Sequence, residues 1–142
     1  MMDKRSLPAV LDSLVEIRRY AEAAAASAGI DEGRAYQLAL AVDEIATNII
    51  LYGYKEAGPT ATIWIGSEIT DDALTLTLED EAPAFDPRTR PMPQAEDLAK
   101  LLEDRAVGGL GIYLATEGVD RFDYRREQGR NVNLFEVRIP HD

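Results

Sequence analysis

Apolar positions recur at helical spacing through the first part of the chain and at alternate positions through most of the remainder. Val10–Ala28 (VLDSLVEIRRYAEAAAASA) is rich in strong helix formers, and Leu11, Leu14, Val15, Ile17 and Arg18 keep a largely helical period. Gly29 then ends the run as a residue suited to the left-handed position past a helix C-terminus. Asp31 is placed to cap a second helix, about Glu32 to Leu51, whose apolar stripe is Leu38, Ala41, Val42, Ile45 and Ile49. Gly53, Gly58 and Pro59 break it. From there the period changes. Ala61–Thr70 (ATIWIGSEIT) carries β-branched and aromatic residues, Asp71–Asp72 suits a hairpin turn, and Ala73–Leu78 (ALTLTL) alternates as the paired strand. A proline-rich loop spans Glu81–Arg90, followed by short helical patterns within Pro93–Asp104 and at Leu110–Gly118. Arg121–Arg126 and Val132–Ile139 alternate again around a turn placed at Gln128–Asn131 (QGRN). Hairpin-linked strands with segregated helices predict an α+β two-layer sandwich on a mostly antiparallel sheet.

Composition narrows what such a domain can do. With 142 residues, 46% of them hydrophobic, the chain is expected to form a single domain over 1–142 with a true core. It has no cysteine, so disulfides and thiolate metal sites are excluded. Its only histidine is His141, next to last, which argues against histidine-based triads and multi-histidine metal sites. No apolar run approaches the ~18–20 residues of a membrane span. The segment MMDKRSLPAVLDSL lacks the apolar core of a signal peptide, so a cytoplasmic protein without membrane contact is expected. The formal charge of −11, from 26 acidic and 15 basic residues, repels nucleic-acid phosphates and suits a basic protein partner. Taken alone, such acidity also serves solubility.

Three segments carry candidate chemistry. Glu44 and Asn48 stand four residues apart within LALAVDEIATNIILYGY, so they share one helical face. An amide oxygen is a hard ligand suited to Mg²⁺, and a carboxylate one turn away can receive a proton from an attacking hydroxyl. On its own this spacing is common in half-buried helices. Asp80 ends an alternating strand immediately before the proline loop and can accept a hydrogen bond from an amino group, although a turn-initiating aspartate reads the same way. The run Gly108, Gly109, Leu110, Gly111 opens a helical pattern, where backbone N–H groups approach a phosphate closely and the helix terminus attracts negative charge. A plain loop-to-helix joint is the alternative there.

Order and spacing join these segments. DEIATNII (Asp43–Ile50) resembles the N box of the GHKL ATPases, the superfamily of gyrase, MutL and sensor histidine kinases. EDEAPAFDP (Glu79–Pro87) resembles their G1 box and GGLGIYLA (Gly108–Ala115) their G2 box. The compact length, the glutamate-led N box and the FDP of the second segment are similar to the bacterial anti-sigma factor serine/threonine kinases, over about Leu7 to Ile139. The resemblance implies the Bergerat-type ATPase fold, with helices on one face of the sheet and an ATP lid between Pro87 and Val107. It implies ATP and Mg²⁺ as cofactors, with Asn48 coordinating the metal, Glu44 as general base and Asp80 on the adenine amino group. Gly108, Gly109, Leu110 and Gly111 would face the phosphates, and Arg105 is a candidate phosphate contact by position and charge. The family's G1 box usually has glycine where this chain has Ala82, a methyl expected to crowd the adenine or alter the turn. The implied partners are a sigma factor and an antagonist protein that is phosphorylated, and family relatives often form homodimers.

Two function classes follow. The first is a kinase of a serine or threonine on a partner protein. The second is a non-catalytic, nucleotide-gated binding module of the same fold, which Ala82 keeps in view. A small-molecule hydrolase has little support, because no nucleophile constellation is visible.

Overall fold

The computed structural model describes residues 3–54, 61–89 and 117–140. The expected lid, the helical patterns at Pro93–Asp104 and Leu110–Gly118, Arg105, the glycine run 108–111 and His141 lie wholly or almost wholly outside the described residues. The described elements run β1 (Asp3–Pro8), α1 (Leu14–Ser27), α2 (Glu32–Asn48), β2 (Thr62–Ile69), β3 (Ala73–Asp80), β4 (Arg121–Glu127) and β5 (Arg130–Arg138). A short 3₁₀ turn at Leu11–Ser13 leads into α1.

The five strands form one sheet in the order β1-β2-β3-β5-β4, and every pairing among them is antiparallel. The predicted two-layer α+β sandwich is therefore the fold observed. Alternation decides which side chains meet the helices. Ile63, Ile65, Leu74, Leu76, Leu78, Phe135 and Val137 point to one face and close a single core with Ile17, Leu38, Val42 and Ile45 of the two helices. Phe122 of β4 meets Phe135 edge-on, with ring centroids 5.2 Å apart.

Three features depart from the sequence expectation. β1 went unpredicted because DKRSLP has no alternating apolar face. It forms by pairing with β2, from Asp3 opposite Ser67 to Pro8 opposite Thr62. Its Lys4 and Arg5 suit an edge strand, where charge discourages further pairing. α2 keeps α-helical bonding only to Asn48, then widens into a π turn over Ile49–Gly53. The β4–β5 turn is shorter than QGRN. Gln128 and Gly129 both take positive φ, 50° and 77°, as a two-residue hairpin turn requires, so Arg130 and Asn131 belong to β5.

The start of α2 follows the predicted cap. Asp31 accepts a hydrogen bond from the backbone N–H of Arg34 at 3.0 Å, satisfying one of the unpaired donors of the first turn. Asp31→Ala is expected to cost about 1 kcal/mol, read as a lower urea midpoint at unchanged slope.

Candidate functional site

The turn that follows α2 meets the segment that follows β3. Asn48 is the last α-helical residue of α2, and the π turn that follows is closed by a bond from Tyr54 N–H to the Ile49 carbonyl at 2.8 Å. Such widened turns are frequent at functional sites. Here the turn brings Gly53 against the segment after β3: a Cβ on Gly53 would lie 3.1 Å from the methyl of Ala82. The Ala82 methyl is thus buried toward the end of α2, 3% exposed. Tyr54 fastens the junction. Its hydroxyl donates to the Thr62 carbonyl at 2.7 Å and accepts the N–H of Glu81 at 2.5 Å. Burial is the main force raising the Tyr54 hydroxyl pKa.

Glu44 and Asn48 are both half-buried on α2. Burial raises the Glu44 pKa, and the neighbouring Asp43 charge raises it further. Asp43 is also raised by burial, against the opposing pull of Arg18, whose Nε lies 3.8 Å from Asp43 Oδ1. The Asn48 side chain makes no capping bond to the turn that follows it. Among the described residues, no group of three or more His, Cys, Asp or Glu gathers as a metal cluster. A single amide oxygen suits a hard cation that keeps its waters and takes its remaining ligands from phosphate.

Asp80 is the most distinctive group in the described structure. It is 1% exposed. Its Oδ1 accepts the Ala82 N–H at 3.0 Å and an Asn131 Nδ2 hydrogen at 2.8 Å, whereas its Oδ2 is buried without a hydrogen-bond partner. A buried acceptor left unpaired costs roughly 1–3 kcal/mol or more, so Oδ2 is short of a donor, as are Asp43 Oδ1 and Asn133 Oδ1 among the described residues. Burial pushes the Asp80 pKa up, while the bonds from Asn131 and Ala82 and the charge of Arg126 pull it down.

The alternating pattern puts Asn131 in the Gln128–Asn131 turn, with no part in the site, whereas in the structure it belongs to β5. It is 3% exposed and stands opposite Asp80 in the β3–β5 register. Arg126 of β4 donates to the Ala82 carbonyl at 2.8 Å, holding the same loop. A usable signal was present: a two-residue turn at Gln-Gly puts Asn131 on the helix-facing side of β5. Ala82, two residues past Asp80, is thus packed against the turn that follows α2, while Glu44 and Asn48 stand on α2 before that turn, and Arg105 and the glycine run lie outside the described residues.

The model of the histidine kinase-like ATPase domain family matches residues 7–135. The chain belongs to that family. Two of its relatives are the serine-protein kinases RsbW of Staphylococcus aureus strains RF122 and MRSA252, each 29% identical over 100 residues, covering 67% of this chain and 60% of the relative. The chain thus matches three fifths of the length of these relatives. Among solved structures, the crystal structure of the RsbU and RsbW domains of Rv1364c from Mycobacterium tuberculosis superposes with a TM-score of 0.66 at 15% identity, over 100% of this chain and 33% of that one. At that identity the likeness speaks for the fold.

Proposed function

We propose that this chain is a cytoplasmic, ATP-binding anti-sigma-type regulator that phosphorylates a serine or threonine on an antagonist protein and holds a sigma factor inactive. The observation that carries the nucleotide reading is the buried, unpartnered Oδ2 of Asp80 at the end of β3. Its chemistry suits an amino group presented by a purine. The kinase reading draws on the names of the relatives, serine-protein kinases, and on Glu44 and Asn48 sharing one face of α2.

In this reading Asn48 would hold Mg²⁺ together with the phosphates. Bound there, the ion would neutralise the charge of the transferring phosphoryl group. Glu44 would take the proton of the partner hydroxyl, and its raised pKa makes it a stronger base than an ordinary glutamate. Asp80 would select and orient the base. The glycine run and Arg105 would face the phosphates from the segment outside the described residues. The acidic surface, −11 in formal charge, suits a basic partner face.

The test is capture of partners from the source cell with and without ATP, with phosphosite mapping of what is retained. Transfer of the γ-phosphate to a serine or threonine of a captured protein is expected. ATP-dependent capture without any transfer would favour the nucleotide-gated binding module instead. A separate calorimetric check addresses the metal. Asn48→Ala is expected to remove most of the Mg²⁺-dependent part of ATP binding while leaving the metal-free part in place. Full Mg²⁺ dependence in that variant would move the metal ligand elsewhere.

A further inference from the structure

We infer that Asn131 is the positioning residue that sets which purine this site takes, by occupying one oxygen of Asp80 and leaving the other as the only free acceptor. The inference rests on the nucleotide-binding reading above and adds to it a residue that acts through Asp80.

The geometry is specific. Asp80 Oδ1 receives two donors, the Asn131 amide at 2.8 Å and the Ala82 N–H at 3.0 Å. Two donors fill the lone-pair capacity of one carboxylate oxygen. What remains is Oδ2, buried and unpaired. Asn131 is itself held in one orientation. Its Oδ1 accepts the Phe85 N–H at 3.3 Å and the Tyr124 hydroxyl. Its Nδ2 also lies 3.2 Å from each of the carbonyls of Ala82 and Pro83. Turning the amide over would set its oxygen against Asp80 and two carbonyls and its NH₂ against a backbone N–H. The wrong orientation is repulsive on both sides, so the network offers Asp80 a donor and nothing else.

The consequence is a choice between purines. An ionised Oδ2 accepts from a 6-amino group and repels a 6-oxo group. A proton arriving on Asp80 would settle on Oδ2, because Oδ1 is already saturated, and would turn that acceptor into a donor. Asn131 opposes this change by stabilising the carboxylate. The other charged group acting on Asp80 is Arg126 from β4, which favours the ionised form; Tyr54, just past the turn that follows α2, has its own hydroxyl pKa raised in part by Asp80. Its strand neighbours on the same face, Leu78 and Ile63, are apolar. Removing Asn131 therefore makes Asp80 easier to protonate, and ATP affinity is then lost at higher pH than in the wild type.

The experiment is calorimetry of the full chain with MgATP and MgITP across a pH series, comparing wild type with Asn131→Leu. ITP differs from ATP at the 6-position, where it carries oxygen. The wild type is expected to prefer ATP. The variant is expected to lose about tenfold or more in ATP affinity, the scale of one charge-assisted hydrogen bond, with a smaller change for ITP. The preference therefore collapses, and the acid loss of ATP binding moves to higher pH. A folded variant that loses ATP and ITP by the same factor, with the acid limb unmoved, would overturn the inference and leave Asn131 a purely structural residue. Should circular dichroism show that Asn131→Leu does not fold, Asn131→Ser shortens the side chain away from Asp80 and is read against the same two outcomes. A wild type that binds neither nucleotide fails the nucleotide reading itself. A wild type that binds both equally fails the assignment of Asp80, and Asn131 with it.

Discussion

Glu44→Gln is expected to leave ATP affinity near that of the wild type and to slow phosphoryl transfer to the partner by ~10²–10⁴-fold, the usual worth of a general base. The glutamine keeps the size and hydrogen-bonding capacity of the side chain and removes only its basicity. Asn48, the proposed metal ligand one turn along the same face of α2, is untouched, so metal and phosphate binding are expected to stay as in the wild type. The pH profile gives a second reading. Burial and Asp43 raise the Glu44 pKa, and a base works only when deprotonated. The wild-type rate should therefore fall, on acidification, at a higher pH than an ordinary glutamate would set. Asp43→Asn removes one of the two causes and should move that limb toward lower pH. Single-turnover transfer from labelled ATP to the captured partner measures both effects. Transfer at the wild-type rate by Glu44→Gln would place the base elsewhere.

Asp80→Asn is expected to weaken ATP by roughly 1.5–3 kcal/mol, the cost of losing a hydrogen bond to a charged group, and to blur the preference for ATP over GTP, which presents a carbonyl at the same position. Stability should move the other way. The folded-state pKa of Asp80 is raised, so its contribution to folding is greatest below the unfolded value of about 3.9 and is lost as pH rises through the folded value. When ionised, the buried carboxylate is a cost to the empty fold, and a neutral amide of the same shape relieves it. The nucleotide-free variant should melt at the wild-type temperature or above it at pH 7, with the difference shrinking on acidification. A buried group that weakens the empty fold and strengthens the liganded one is the signature of a site kept for binding. Equal ATP affinity in wild type and variant would remove Asp80 from the site.

Much of this protein can be read along the chain, because periodic burial leaves a periodic record. The stripe Leu38, Ala41, Val42, Ile45 and Ile49 announces α2, and all five residues are buried. The alternation of ALTLTL announces β3, whose three leucines are fully buried. The cap at Asp31 and the three motif segments are equally local, and they led to the histidine kinase-like ATPase family. Other features leave no such record. β1 has one apolar residue facing the core side, Leu7, and exists because β2 offers it an edge. Asn131 looks like a turn residue until two positive φ angles shorten the hairpin and carry it into β5. The π turn after Asn48 has no distinctive composition, and it takes effect by setting Gly53 against Ala82. The unpaired oxygen of Asp80 is visible only when Asn131, 51 residues away in sequence, is seen to hold its twin. A sequence states which side chains can be buried and which can carry chemistry, since both depend on residue type and local spacing. Which lone pair stays free is decided by groups that meet only after the sheet has closed, and that belongs to the tertiary structure.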